Sequence, residues 1–164
     1  MKRSALLVGV VLAACGHENS APQFPIEFVV SAALKDDISA FQLSLVTQGS
    51  SLDCVTVQKS CIKDQVASTR FVALKDASGK SVQAVRFDLS TLMAGSPSSQ
   101  DVSLKELPVG KDFALVVEAI STDSTPRLAG SSCSYIRELT AGDNAAVTAR
   151  IEKLDPRAAC DPTF

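Results

Sequence analysis

With 164 residues the chain is long enough to bury the core of one domain, and its 16 basic side chains are outnumbered by 18 acidic ones. No basic run stands out, which argues against nucleic acid or an anionic membrane surface as a partner. The only histidine, His17, lies near the start, so Ser–His–Asp triads, Cys–His pairs and His-bearing zinc motifs are excluded from the rest of the chain.

In chain order, Lys2 and Arg3 precede an apolar stretch over 5–14, about ten residues long and well short of the ~20 needed to span a bilayer. The stretch closes on Leu12-Ala13-Ala14-Cys15, a run that closely resembles the lipobox of bacterial lipoproteins. That resemblance implies cleavage before Cys15, a diacylglyceryl thioether on its sulfur and acylation of the new amine. Buried acyl chain contributes ~0.8 kcal/mol per methylene, and two lipid signals already anchor stably, so a membrane reached through the N-terminal lipid is the first expected partner. Gly16 stands where, in that family, an Asp favours retention in the inner membrane; for a Gram-negative host the outer membrane is the expected location. The chain then divides into a signal peptide over 1–14, a lipidated cysteine and polar tether over 15–25, and one β domain over 26–164. Loss of 1–14 leaves 14 basic against 18 acidic side chains, a charge of −4.

Beyond the tether, strand follows strand: 26–34, 38–47, 70–75, 82–89, 102–107, 113–121, 131–138 and 145–154. Phe41, Leu43 and Leu45 alternate with Gln42 and Ser44, as do Val85, Phe87 and Leu89 with Arg86 and Asp88. Val147, Ala149 and Ile151 alternate in the same way with Thr148, Arg150 and Glu152. The stretch 113–120, FALVVEAI, is apolar on nearly both faces and reads as a central strand. Turn residues fall at 76–79, 108–111 and 141–144, an open loop at 94–101 and a short helical turn within 89–94. The expected fold is therefore all-β, an antiparallel sandwich of about seven or eight strands.

The later part of the chain carries a second, looser resemblance. Leu107-Pro108-Val109-Gly110, a strand over 114–120, Ala129-Gly130-Ser131-Ser132 and Thr140-Ala141-Gly142 follow in that order. The order is similar to that of transthyretin-like and carboxypeptidase-regulatory-like Ig-type sandwiches, over about 100–154. The shared motifs are turn chemistry, so the resemblance implies fold more than function. Tryptophan is absent, and with it the antibody-type core.

Setting Cys15 aside leaves Cys54, Cys61, Cys133 and Cys160, an even number that suits an oxidising compartment. Four cysteines allow three connectivities; closeness in sequence favours Cys54–Cys61 with Cys133–Cys160. A cysteine metal site would need Cys-x-x-Cys spacing or a nearby His, and neither exists, so no metal and no cofactor is expected. Lys80 and Lys111 sit at turns, unsuited to a desolvated Ser–Lys mechanism. Asp36-Asp37 reads as a solvated turn before it reads as a catalytic pair. Calcium would have to come from Asp36, Asp37, Asp53, Asp101, Asp123 and Asp143-Asn144, none of which shows alternating ligand spacing. Sugar platforms are short of aromatics, since Tyr135 is the lone tyrosine while Phe24 and Phe164 flank the domain. One candidate binding feature remains: the loop Cys54 to Cys61, CVTVQKSC, which a disulfide across it would pre-order. The sum is an expected non-catalytic envelope lipoprotein, binding an envelope or extracellular protein. The alternative is an accessory subunit that binds a glycan, peptide or metal.

Overall fold

The computed structural model describes residues 21–22, 25–89, 104 and 107–164. Cys15, His17, Phe24, most of the tether, the loop 94–101 with Asp101, the turn within 89–94 and most of the strand expected at 102–107 lie outside these residues. Among the described residues eight strands follow in order: β1 Ile26–Val30, β2 Ile38–Thr47, β3 Leu74–Lys75, β4 Ser81–Val82, β5 Val85–Asp88, β6 Gly110–Ser121, β7 Leu128–Leu139 and β8 Val147–Ala158. Two one-turn helices, α1 Cys54–Val57 and α2 Ile62–Gln65, interrupt them. Six strands form one sheet in the order β1-β8-β7-β6-β2-β5, and β3 pairs with β4 in a separate hairpin.

The chain is thus mostly β, as its alternating pattern requires, but the large sheet is mixed. The run from β5 to β8 is antiparallel, whereas β1 joins β8 in parallel register from Ile26↔Val147 to Val30↔Ile151. An entirely antiparallel arrangement does not hold at this edge: β1 ends at Val30, and its chain turns through the 3-10 turn Ala32–Leu34 to enter β2 at the sheet's other side. The sheet curls, because the Phe28 ring on β1 meets the Phe41 ring on β2 at 5.9 Å although three strands separate them in sheet order.

The alternation read from the sequence sets the inner face of that curl. Phe41, Leu43 and Leu45 on β2 pack with Phe113, Leu115 and Val117 on β6 in one continuous core. Val85 and Phe87 extend it on β5, and Val147, Ala149 and Ile151 on β8. Leu34 from the 3-10 turn and Leu74 from β3 complete it. The turns behave as their residues dictate. Asp76 accepts hydrogen bonds from the amides of Ser78 and Lys80 while Gly79 takes φ of 81°, closing the β3–β4 hairpin. Gly142, at φ 79°, and Asn144, bonded to Thr140, turn β7 into β8.

Gly49 serves close approach. A Cβ there would stand 2.2 Å from the Phe113 carbonyl oxygen, a backbone atom that cannot step aside. Gly49→Ala is therefore expected to lower stability by about 2 kcal/mol, read as a lower urea midpoint with an unchanged slope.

Candidate functional site on the covered sheet face

The outer face of the sheet carries the other half of each alternation, and there sequence reasoning stops short. Gln42 and Ser44 read as solvent-facing, yet they are 4% and 1% exposed. The cause is the segment 52–71, which lies across β2, β6 and β7. Val57, Ile62 and Val66 from this segment pack on Val46, Ala114 and Val116 in a second core. Farther out the face is open, and Arg86, Asp88, Thr148 and Arg150 are exposed as their polarity implies.

Local chemistry shapes the cover. Asp53 precedes α1 with extended backbone and accepts from the Val55 amide at 3.1 Å and the Thr56 hydroxyl at 2.6 Å, an N-cap of the usual kind. The Thr56 hydroxyl, then the Val55 amide, hold the Asp53 carboxyl below its ordinary range. Gln65 reaches back from α2 to the Val57 and Ser60 carbonyls, bracing the turn between the helices.

The disulfides differ from the expected pairing. Cys54 is joined to Cys133, 79 residues away, and Cys61 to Cys160, 99 residues away. The physical reason is the helical cover itself. Cys54 opens α1 and Cys61 immediately precedes α2, so each faces what lies beneath or beside its own helix rather than the other. Cys133 shares the covered face with Val116, its register partner on β6. Cys160 comes from the segment 159–164, which runs back over the sheet as a strap. The loop Cys54 to Cys61 is therefore not closed on itself. It is held at both ends to distant parts of the fold, and only Val55 within it is a strongly exposed apolar residue.

Beneath cover and strap lies Glu118, in the middle of β6 and 1% exposed. Its carboxylate accepts from the Ile62 amide at 2.9 Å and from the Gln42 side-chain amide at 3.2 Å. The same Gln42 nitrogen donates to the Pro162 carbonyl at 2.7 Å, and Lys63 donates to the Thr163 carbonyl. Burial pushes the Glu118 carboxyl up to about 7, against the opposing pull of the Ile62 and Gln42 hydrogen bonds. Ser131, its register partner on β7, and Ser44 are also buried, and neither hydroxyl reaches a hydrogen-bond partner among the described residues. The reading of 113–120 as a central strand holds, but it passes over this acid. A lone carboxylate inside FALVVEAI was the available signal, since a charge there must be paired or neutralised.

The other residues singled out from the sequence serve as braces. Asp37 binds Lys153 at 2.7 Å and Arg157 at 3.0 Å, and Arg157 binds Asp123 at 2.7 Å. This network ties the turn before β2 to β8 and the β6–β7 hairpin. The Lys153 hydrogen bond lowers the Asp37 carboxyl, and Arg157 lowers that of Asp123. Asn144 is engaged in its own turn. Asp37 and Asp123 thus meet on Arg157, whereas Asp53 is engaged apart from them in capping α1. Lys111 lies 3.5 Å from Glu138 on the surface, and Lys80 is exposed. Cys61, Asp64 and Cys160 place potential ligand atoms within 4.8 Å of one another, but two of these are the sulfurs of one disulfide, which are not thiolate ligands. At the β5 edge, Gln42, Lys80, Arg86 and Phe164 line an open groove of about 310 Å³. No helix among the described residues is long and apolar enough to cross a membrane.

Comparison with protein-family models, curated proteins and solved structures gives no match to this chain.

Proposed function

We propose that the chain is a cell-envelope lipoprotein, anchored through Cys15, whose non-catalytic β domain binds an envelope or extracellular protein. The observation that carries the reading is the pair of disulfides joining segments 79 and 99 residues apart, bonds of a kind that persist where thiols are oxidised. An Ig-like description of the domain belongs to the same proposal and rests on the antiparallel run β5-β2-β6-β7-β8. The non-catalytic reading is supported by the enclosure of Glu118, whose carboxylate faces Ile62 and Gln42 under the strap; a general acid must reach its substrate.

The anchor has a direct test. Cys15→Ser is expected to abolish incorporation of labelled fatty acid and to leave the precursor uncut, with its apolar leader still attached. Labelling that survives this substitution overturns the lipid assignment. In-cell cross-linking should then recover a specific protein partner.

A second reading, an accessory ligand-binding subunit, is favoured by the groove at Lys80, Arg86 and Phe164. A ligand held there would raise the melting temperature by mass action, and Arg86→Ala would remove the shift. Panels of glycans, peptides and metals that leave the melting temperature unmoved set this reading aside.

A further inference from the structure

We propose that the Cys61–Cys160 disulfide is a redox latch: its reduction frees the strap of residues 159–164 from the sheet and admits solvent to Glu118 and Gln42 beneath. The two disulfides differ in what they hold. Cys133 lies inside β7, which keeps its ladders to β6 and β8 whether or not the sulfur is bonded, and α1 stays seated through Val57. The strap has no ladder. Apart from Cys160, it is fixed by the Leu128 amide on the Cys160 carbonyl at 3.3 Å, Gln42 on Pro162, Lys63 on Thr163, and an edge-on contact of Phe164 with Phe71 at 5.1 Å. Phe164 is itself half exposed. A few polar contacts, the buried Pro162 and one rim aromatic, without a strand ladder, place the strap at the low-stability end of the fold once the covalent tie is gone.

Exposure sets the direction of the chemistry. Cys61 is fully buried, whereas Cys160 is partly exposed. A thiolate of an external dithiol attacks the Cys160 sulfur, forming a mixed disulfide and expelling Cys61 as a thiolate, which takes up a proton. The second thiol of the dithiol then attacks its own partner sulfur and releases Cys160. The protein disulfide gains two electrons and two protons, and the dithiol leaves oxidised.

Opening changes the surroundings of Glu118. Gln42 loses the Pro162 carbonyl, and water reaches a carboxyl now facing Ile62 and Gln42. The charged groups around it are Lys63 and Asp64 on α2, Arg86 opposite Gln42 on β5, and Asp161 on the strap; Gln42 on β2 and Ser131 on β7 are neutral. With burial removed, the acid returns toward its ordinary value, so the state of the latch and the charge of Glu118 are linked.

The test is a carboxyl NMR titration of the full chain, with the Glu118 signal assigned by its loss in Glu118→Gln. The oxidised protein should titrate at about 7, and Cys61→Ser with Cys160→Ser should bring the midpoint down toward 4.5. Cys54→Ser with Cys133→Ser should leave it near its original position. Equal shifts in both double variants, or no shift in the first, overturn the proposal. Should either variant fail to fold, the wild-type protein is reduced stepwise with dithiothreitol and quenched with iodoacetamide. Alkylation of Cys61 and Cys160, with raised amide exchange over 159–164 while Cys54–Cys133 persists, supports the latch; simultaneous loss of both disulfides overturns it.

Discussion

Removal of the Cys54–Cys133 disulfide, by Cys54→Ala with Cys133→Ala, is expected to lower the unfolding free energy by about 4.5 kcal/mol. The bond closes a loop of 79 residues, and the entropy it removes from the unfolded chain grows with the logarithm of that length. The loss corresponds to a fall of ~10 °C in melting temperature for a domain of this size. A bond between Cys54 and Cys61 would close only a short loop, worth about 2.5 kcal/mol by the same relation. Peptide mapping under non-reducing conditions decides the pairing directly. Fragments joining Cys54 to Cys133 are expected, and recovery of Cys54 joined to Cys61 would sink the account of the covered face.

Glu118 should impose a pH dependence opposite to that of the surface aspartates. In the fold its carboxyl holds a proton up to about pH 7, whereas an ordinary glutamate releases it near 4.5. Between those values the folded state binds more protons than the unfolded one, so stability falls as pH rises from 4.5 through 7. The difference amounts to on the order of 3 kcal/mol across that window. Asp37, Asp53, Asp76, Asp123 and Asp161 are lowered from 3.8, so what they contribute is present above that value and lost in more acid solution. Stability is therefore expected to peak at about pH 4 to 5. Glu118→Gln, a neutral group of the same shape, should flatten the neutral limb, leaving the variant the more stable form at pH 8. Urea unfolding at pH 5, 6, 7 and 8 measures this; a wild-type slope retained in the variant would assign the dependence elsewhere.

The regularities that the chain carries locally were legible. The alternations around Phe41, Val85 and Val147 place the inner core because a strand's side chains change face at every residue, whatever it pairs with. The turns at Asp76–Gly79 and Gly142–Asn144 follow from residues that accept left-handed backbone or bond their own main chain. The cover was not legible. α1 and α2 are one turn each, too short to show a helical period, and the polar residues Gln42 and Ser44 matched a solvent face. The same blindness misplaced the disulfides, since nearness along the chain says nothing about which side of a helix a cysteine takes.

By itself, then, the amino-acid order determined β structure, the inner face of the sheet, the turns at 76–79 and 141–144, and four cysteines beyond Cys15. Only the tertiary structure decided that β1 lies parallel to β8, that the outer face is roofed by 52–71, and which cysteines meet. That roof and the strap of 159–164 together turn Glu118 from a polar interruption into a buried acid. The division has one physical reason. Alternation and turn chemistry act between neighbours in the chain, whereas burial of a face depends on segments that arrive from far along it.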